Sequence, residues 1–536
     1  MGNALTPMLR THTPTTSKIV FFGIIMMVAA GLIAGVSFAR DNPYLSFRYA
    51  GIWADTIRYA IEYRFGGEAS RAAAGAISTT PPRPAESIPV LLYHGVVAAP
   101  GGINVPNQHF KEQMFALKRA GWETVTLAEL YAFLRGEKKP PEKSFVLTFD
   151  DGRKDSYYPV DPVLKALDYR AVMFAITKFS LNQNSKYYLS GEELKQMIQS
   201  GRWEVHSHGN NAHEFYPVDD AGNMGHFFSN KLWLAGPGRL ETNDEFMNRV
   251  LEDLLSSKRN LEDTLGTRVT GFAFPFGNFG EPTFNHPEAR DIVLGSALSI
   301  YAMAFYQQSD DNRFTQNYHP GGNASEHFFI RRIEVRAEWG IEELLERLDA
   351  GLAKPLPFTD TLDRDTGWIR TWGVLEHRGG MLALHPTAND TGSAALLDGT
   401  RAWRDYQFTA VVDRLAGGNI YLWGRFKNDD NFVACNFSQQ VAHVEQKYLG
   451  DLRVIRGVER AASLPERNFE VAIRVRGRSV ECLLNGEVIV ATPFLERALD
   501  SGGVGIKGWD ARPDASQLVL REVRAIPLSP ATAAAP

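Results

Sequence analysis

The chain has 536 residues, enough for two to four domains, and its 44% hydrophobic and 22% charged residues suit a packed globular protein, not a disordered one. A formal net charge of −5 excludes the basic surface that nucleic acid requires. The two cysteines, Cys435 and Cys482, are too few for a disulfide scaffold or a cysteine metal site; they pair in an oxidising compartment or remain as buried free thiols.

Residues 19–39, IVFFGIIMMVAAGLIAGVSFA, carry no charge. As a helix they would measure roughly 31 Å, about one hydrocarbon core. The stretch is expected to be an uncleaved membrane anchor, with residues 1–40 forming tail and anchor and the rest of the chain exported. A cleavable signal peptide ending at Ser37-Phe38-Ala39 is the competing expectation, although its apolar region usually runs to only ~7–15 residues. A buried core helix is the third. Residues 44–65 are aromatic-rich and amphipathic, suited to a membrane surface or to packing on a domain. Residues 66–87, rich in Ala, Pro, Ser and Thr, suit a linker, so 41–87 is expected to be a juxtamembrane helix and linker.

From 88 to 354 the hydrophobic period alternates between two and 3.6. Strands are expected at 88–93, 144–149, 170–176, 203–207, 269–274, 297–305 and 329–335. Helices are expected between them, with capping boxes at Thr126/Glu129, Ser190/Glu193 and Thr242/Glu245 and a C-terminal glycine at Gly266. This alternation predicts a parallel α/β sheet or an incomplete (β/α) barrel. Residues 214–242 break the rhythm directly after a histidine cluster and are expected to rim a site. From 355 to 528 the pattern becomes short alternating strands without helices, including a hairpin on Asn485-Gly486. A jelly-roll-type β-sandwich is expected there, followed by a disordered tail at 529–536.

Two motifs carry chemistry. LTFDDG, residues 147–152, ends an apolar strand in two adjacent carboxylates, and strand C-terminal ends are where α/β folds place their sites. Asp150 and Asp151 point in different directions, so one can bind a cation while the other moves a proton. WEVHSHGNNAHEF, residues 203–215, holds His206, His208 and His213. Two imidazoles and one carboxylate make an open divalent site of the kind hydrolytic zinc uses.

The stretches PVLLYHGV, FVLTFDDGRKDSYYPVDPVLKAL, WEVHSHGNNAH and GFAFPFGNF together resemble the ordered motifs of polysaccharide deacetylases, carbohydrate esterase family 4. The resemblance covers about residues 88–350. It implies a distorted, incomplete (β/α) barrel and metal-assisted hydrolysis of acetyl groups, usually the N-acetyl groups of N-acetylglucosamine polymers. It assigns Asp150 as general base and Asp151, His208 and His213 as ligands of a divalent metal, expected to be zinc. His206 becomes an alternative ligand or a group supporting one. The turn Pro275-Phe276-Gly277 would supply a backbone N–H to the oxyanion. His94 is a polar member of the same barrel face, with a structural role equally open.

Two departures stand out. Phe274 occupies the place where the family usually has the arginine that orients the base, so another group must do so. No histidine lies within FFIRRIEVRAEW, where the family's general acid is expected; His319 and His327 lie just before it. Residues 403–437 and 483–490 resemble concanavalin-like and laminin-G-like sandwiches, which implies an accessory domain, either glycan-binding or stabilising. There Tyr421, Trp423 and Trp509 either stack on sugars or fill the core. The expected partners are an acetylated polysaccharide and, through residues 19–39, a membrane, with the catalytic domain outside the cytoplasm. The alternatives are an O-deacetylase and a non-catalytic glycan-binding scaffold.

Overall fold

The computed structural model describes residues 83–98, 101–181, 185–283, 285–307, 317–318, 327–493, 495 and 499–529, together with Ile61. The expected anchor at 19–39, nearly all of 44–82, His319 and the tail from 530 lie outside the described residues. Among the described residues no helix is long and apolar enough to cross a membrane.

The N-terminal domain is a closed ring of parallel strands. They are β1 (Val90–Tyr93), β2 (Ser144–Phe149), β3 (Ala171–Ala175), β4 (Trp203–Ser207), β5 (Gly271–Ala273), β6 (Met303–Gln307) and β7 (Phe329–Glu334). Each pairs with the next in sequence, and β7 returns to β1 through Ile333↔Leu91 and Glu334↔Leu92. The barrel is thus one strand short of the eightfold form but closed. Its thinnest seam is β4–β5, held at Phe272↔Ser207.

The helices are α1 (Asn107–Arg119), α2 (Leu127–Leu134), α3 (Asp161–Leu167), α4 (Gly191–Gln199), α5 (Asn243–Leu265), α6 (Ala289–Ile300) and α7 (Ile341–Ala350). All three expected capping boxes are present, on α2, α4 and α5. Gly266 ends α5 in the left-handed conformation. The apolar run at 297–305 is divided, contrary to expectation: α6 continues to Ile300 because Val293 and Ala297 share its buried face, and the strand starts at Met303. Inside the ring Val90, Val146, Val172, Phe174, Phe305 and Ile330 pack together, each buried side chain contributing roughly 1.5–3 kcal/mol.

The C-terminal domain is a two-sheet antiparallel sandwich. Its strands are β8 (Phe358–Asp360), β9 (Trp368–Trp372), β10 (Val374–His377), β11 (Leu382–His385), β12 (Gly392–Leu397), β13 (Tyr406–Ala416), β14 (Asn419–Asn428), β15 (Asn431–Ser438), β16 (Val441–Tyr448), β17 (Asp451–Glu459), β18 (Arg467–Arg476), β19 (Ser479–Leu484), β20 (Glu487–Thr492), β21 (Gly503–Trp509) and β22 (Gln517–Pro527). One sheet runs β10-β11-β22-β13-β18-β19-β20 with β8 on β22; the other runs β9-β12-β21-β14-β15-β16-β17. The hairpin between β19 and β20 turns on Asn485 and Gly486, both with positive φ, as a tight two-residue hairpin requires. Cys435 of β15 and Cys482 of β19 form a disulfide that ties the two sheets together through the core. Between the domains, Lys354 donates its backbone N–H to Gly399 O at 2.8 Å and Trp403 donates Nε1–H to Lys354 O at 2.7 Å.

Candidate metal centre at the strand ends

The DDG turn leaves β2 through consecutive left-handed residues, Asp151 at φ 72° and Gly152 at φ 69°. A non-glycine residue in that region costs about 1–2 kcal/mol. Gly152 admits no side chain, since a Cβ there would lie 2.2 Å from Ser180 Oγ. The sharp turn sends the two carboxylates in different directions, Asp150 inward to β7 and Asp151 toward the histidines.

His208 follows β4 directly and is buried. Its Nδ1 lies 2.8 Å from Ala273 O, which can only accept, so Nδ1 carries the proton and Nε2 presents its lone pair. That Nε2 lies 3.6 Å from Asp151 Oδ1 and 3.7 Å from Asp150 Oδ2. Burial pushes the His208 pKa down to about 4 against the opposing pull of both aspartates, so the ring is neutral at neutral pH.

His213 reaches the same point over a short loop. Gly209 turns it with φ 80°, and Asp253 of α5 accepts the backbone N–H groups of Asn210 at 3.1 Å and Asn211 at 2.6 Å. His213 Nε2 then lies 3.2 Å from Asp151 Oδ1. For His213, burial lowers the pKa but the Asp151 contact raises it more; for Asp151, burial raises the pKa but His213, His94 and His208 hold it below the usual carboxylate range. The donor atoms of Asp151, His208 and His213 all lie within 4.8 Å of one another. A neutral imidazole lone pair turned toward ionised carboxylates is a donor set that a divalent cation completes. The residues present therefore fit a metal.

Asp150 is clamped by a residue the sequence motifs did not identify. Arg332 of β7 donates Nη1–H to Asp150 Oδ1 at 2.6 Å and Nη2–H to Oδ2 at 2.7 Å, with both side chains fully enclosed. Burial raises the Asp150 pKa, but Arg332 and His208 outweigh it and hold the carboxyl below its usual range. Phe274, at the place expected for an arginine, packs instead among Phe228, Phe272 and Phe329. The clamp thus comes from β7 in place of β5. The available signal was periodicity: Ile330, Arg332 and Glu334 share one face of β7, and Ile330 packs inside the ring.

The remaining candidates fall around this centre. The Pro275–Gly277 turn follows β5, with Phe276 at φ 59° and its ring 4.4 Å from that of His213. Its hydrogen bonds use the amides of Gly277 and Asn278, not that of Phe276. His94 ends β1 with Nδ1 3.9 Å from Glu334 Oε1. His206 is not brought to the centre: its Nδ1 accepts from the N–H groups of Thr270 at 3.3 Å and Gly271 at 3.4 Å, joining β4 to β5 below His208. From the 214–242 insertion, a small hairpin of Phe215–Pro217 with Met224–His226 sets Phe215 and His226 against Phe276, at ring distances of 5.3 and 5.1 Å.

Residues 137–290 match the family model described as polysaccharide deacetylase. The barrel is a polysaccharide deacetylase domain. A Bacillus subtilis protein assigned to the polysaccharide deacetylases is 27% identical over 208 residues, 39% of this chain and 63% of that one. The poly-beta-1,6-N-acetyl-D-glucosamine N-deacetylase of Escherichia coli K12 is 25% identical over 187 residues, 33% of this chain and 28% of that one. The enzyme of the same name from Staphylococcus epidermidis is 28% identical over 202 residues, 37% of this chain and 63% of that one. The chain thus spans less than two thirds of the length of each of these relatives. The matched deacetylase segment begins just before β2 and ends in α6, so it contains Asp150, Asp151, His208 and His213, while Arg332 lies beyond it.

Proposed function

We propose that the barrel removes acetyl groups from an extracytoplasmic polysaccharide by metal-dependent hydrolysis, with the N-acetyl groups of an N-acetylglucosamine polymer as substrate. The observation that carries the proposal is the convergence of Asp151, His208 and His213 beside a second aspartate held ionised by Arg332. The printed names of the E. coli and S. epidermidis relatives support the amino-sugar substrate. The disulfide between Cys435 and Cys482 supports an oxidising compartment.

Asp151, His208 and His213 would hold a divalent cation, zinc in the first instance, which would supply Lewis acidity toward an acetyl carbonyl and its attacking water. Asp150 takes the proton of the attacking water, and the Arg332 fork fixes the plane of its carboxylate. The Phe276 amide, which the turn's own hydrogen bonds leave unused, would donate to the oxyanion. The Phe276 ring packs on His213, and Phe215 packs on Phe276 on the side of the insertion.

Bound metal and acetate release, measured on the same preparations, test this. Asp150→Asn is expected to keep metal and lose turnover by at least about 10²-fold, while His208→Ala loses both. Full turnover in Asp150→Asn would remove Asp150 as base. Acetate release from O-acetylated xylan but not from N-acetylglucosamine oligomers would move the substrate to O-acetyl glycans.

A further inference from the structure

We propose that the outer face of the sheet containing β14 and β21 is a second saccharide-binding site, one that prefers the acetylated form of an amino-sugar chain over its deacetylated form. The preference rests on the substrate class proposed above; the site itself does not.

The strand register builds this face. Tyr421 of β14 pairs with Lys507 of β21 on one side and Asn436 of β15 on the other; Asn436 pairs with His443 of β16, and Lys507 with Ala394 of β12, which pairs with Trp372 of β9. Trp372, Lys507, Tyr421, Asn436 and His443 therefore form one row across six strands. At ~4.8 Å per strand the row is roughly 24 Å long, the scale of an oligosaccharide and not of one sugar. Neighbouring rows add Trp423 beside Gly505 and Trp509 beside Asn419. The alternate residues Ile420, Leu422, Cys435, Val444 and Ile506 point the other way and fill the core. Tyr421, Trp423 and Trp509 are therefore surface aromatics.

Glycines let the rings lie down. A Cβ at Gly392 would meet the Trp372 ring at 2.8 Å, one at Gly505 would meet Trp423 at 2.8 Å, and one at Gly457 would meet His443 at 2.6 Å. The Trp372 and Trp423 rings therefore lie over backbone, with an exposed side that suits the apolar face of a pyranose. Polar groups are fixed between the rings. Asn419 Nδ2 donates to Asn436 Oδ1 at 2.8 Å, and Asn436 Nδ2 donates to Glu445 Oε1 at 2.7 Å, with Asn436 and Glu445 buried. This chain holds the amide of the half-buried Asn419 in a fixed orientation at the edge of the rings, a preset partner for a hydroxyl. Lys507 Nζ lies 4.8 Å from the Tyr421 ring centre and 5.4 Å from that of Trp372. Its ammonium can donate to a hydroxyl or an acetyl carbonyl and repels the ammonium of a deacetylated sugar. The outer face of the opposite sheet carries ion pairs in place of a row of rings: Arg524 with Glu470 and Arg474 with Glu481.

The test uses the whole chain carrying His208→Ala, so that the probe is not consumed, and measures binding of a β-linked N-acetylglucosamine oligomer and of its fully deacetylated counterpart. The acetylated oligomer should bind more tightly. Adding Tyr421→Ala should weaken binding about tenfold, which is about 1.4 kcal/mol. Adding Lys507→Met, which keeps the stem against both rings, should reduce the preference for the acetylated form and guards against a Tyr421→Ala chain that fails to fold. Unchanged binding with Tyr421→Ala and Lys507→Met overturns the site, as does loss of all binding with His208→Ala alone, which would place the oligomer on the barrel. Tighter binding of the deacetylated oligomer overturns the preference. Acetate release by the native chain is read separately, so the barrel proposal stands or falls on its own.

Discussion

The barrel and the sandwich each bury an aspartate immediately after a strand, and they treat it in opposite ways. Asp150 follows β2 and meets a two-pronged guanidinium, so its carboxyl stays ionised in spite of burial. Asp398 follows β12, also buried, with the backbone N–H of Gly399 on Oδ1 and no hydrogen bond on Oδ2; burial pushes its pKa up to about 7. A buried acid at a strand end is therefore not by itself a catalytic group. Its partner decides whether it is a base at neutral pH or a carboxylic acid that happens to be inside.

The sharpest way to break the contrast is to turn Asp150 into a second Asp398. Arg332→Met removes the fork and leaves a buried carboxylate, which should destabilise the domain by about 3–5 kcal/mol and abolish most turnover. The double variant Arg332→Met, Asp150→Asn should recover much of the stability and none of the turnover, because the uncompensated charge has gone. Denaturant unfolding and acetate release measure the two effects. If the double variant is no more stable than Arg332→Met, the fork acts through packing, including its contact with the Phe174 ring, and not through charge.

A third buried aspartate falls between these cases. Asp253 has its pKa raised by burial against the opposing backbone amides of Asn210 and Asn211, which it holds in the loop that delivers His213. Asp253→Ala should leave Asp151 and His208 in place but loosen His213, weakening metal affinity by about 10–100-fold. Competition with a chelator checks this. Unaltered affinity would mean that Gly209 and the Phe276 contact hold the loop unaided.

How much was legible in the sequence follows the same division. DDG and HSHGNNAH lie at the ends of β2 and β4, with β3 between them, and each is a compact local pattern, so Asp150, Asp151, His208 and His213 could be named from their motifs. Arg332 acts from β7, 182 residues away from Asp150, and no local pattern connects them. His206, kept in the sequence reading as an alternative ligand or supporting group, lies two residues before His208 and sits a step deeper, where the backbone N–H groups of Thr270 and Gly271 donate to its Nδ1. In the sandwich, alternation gave strands but not register. Tyr421, Lys507 and Asn436 are far apart in sequence and become neighbours only through cross-strand pairing. Likewise 297–305 is one apolar run whose helix and strand differ in period alone.

The smallest effect comes from relieving Asp398. Its carboxyl titrates near ~3.9 in an unfolded chain and at about 7 in the folded one, where burial outweighs the Gly399 amide and Arg401. The folded state therefore holds the proton more tightly. The stabilisation is full below about pH 4 and is lost as pH rises through 7. Asp398→Asn keeps the shape and cannot ionise, so it should melt with the native chain at pH 4 and several degrees above it at pH 8. The residue lies at the domain junction, where Gly399 N–H also donates to the Tyr318 hydroxyl at 3.0 Å. The gain should therefore appear in the transition of the sandwich and its contact with the barrel, with the metal content of the barrel unchanged. Parallel melting profiles at both pH values would mean that Asp398 ionises without cost, and that the lack of a guanidinium fork does not separate it from Asp150.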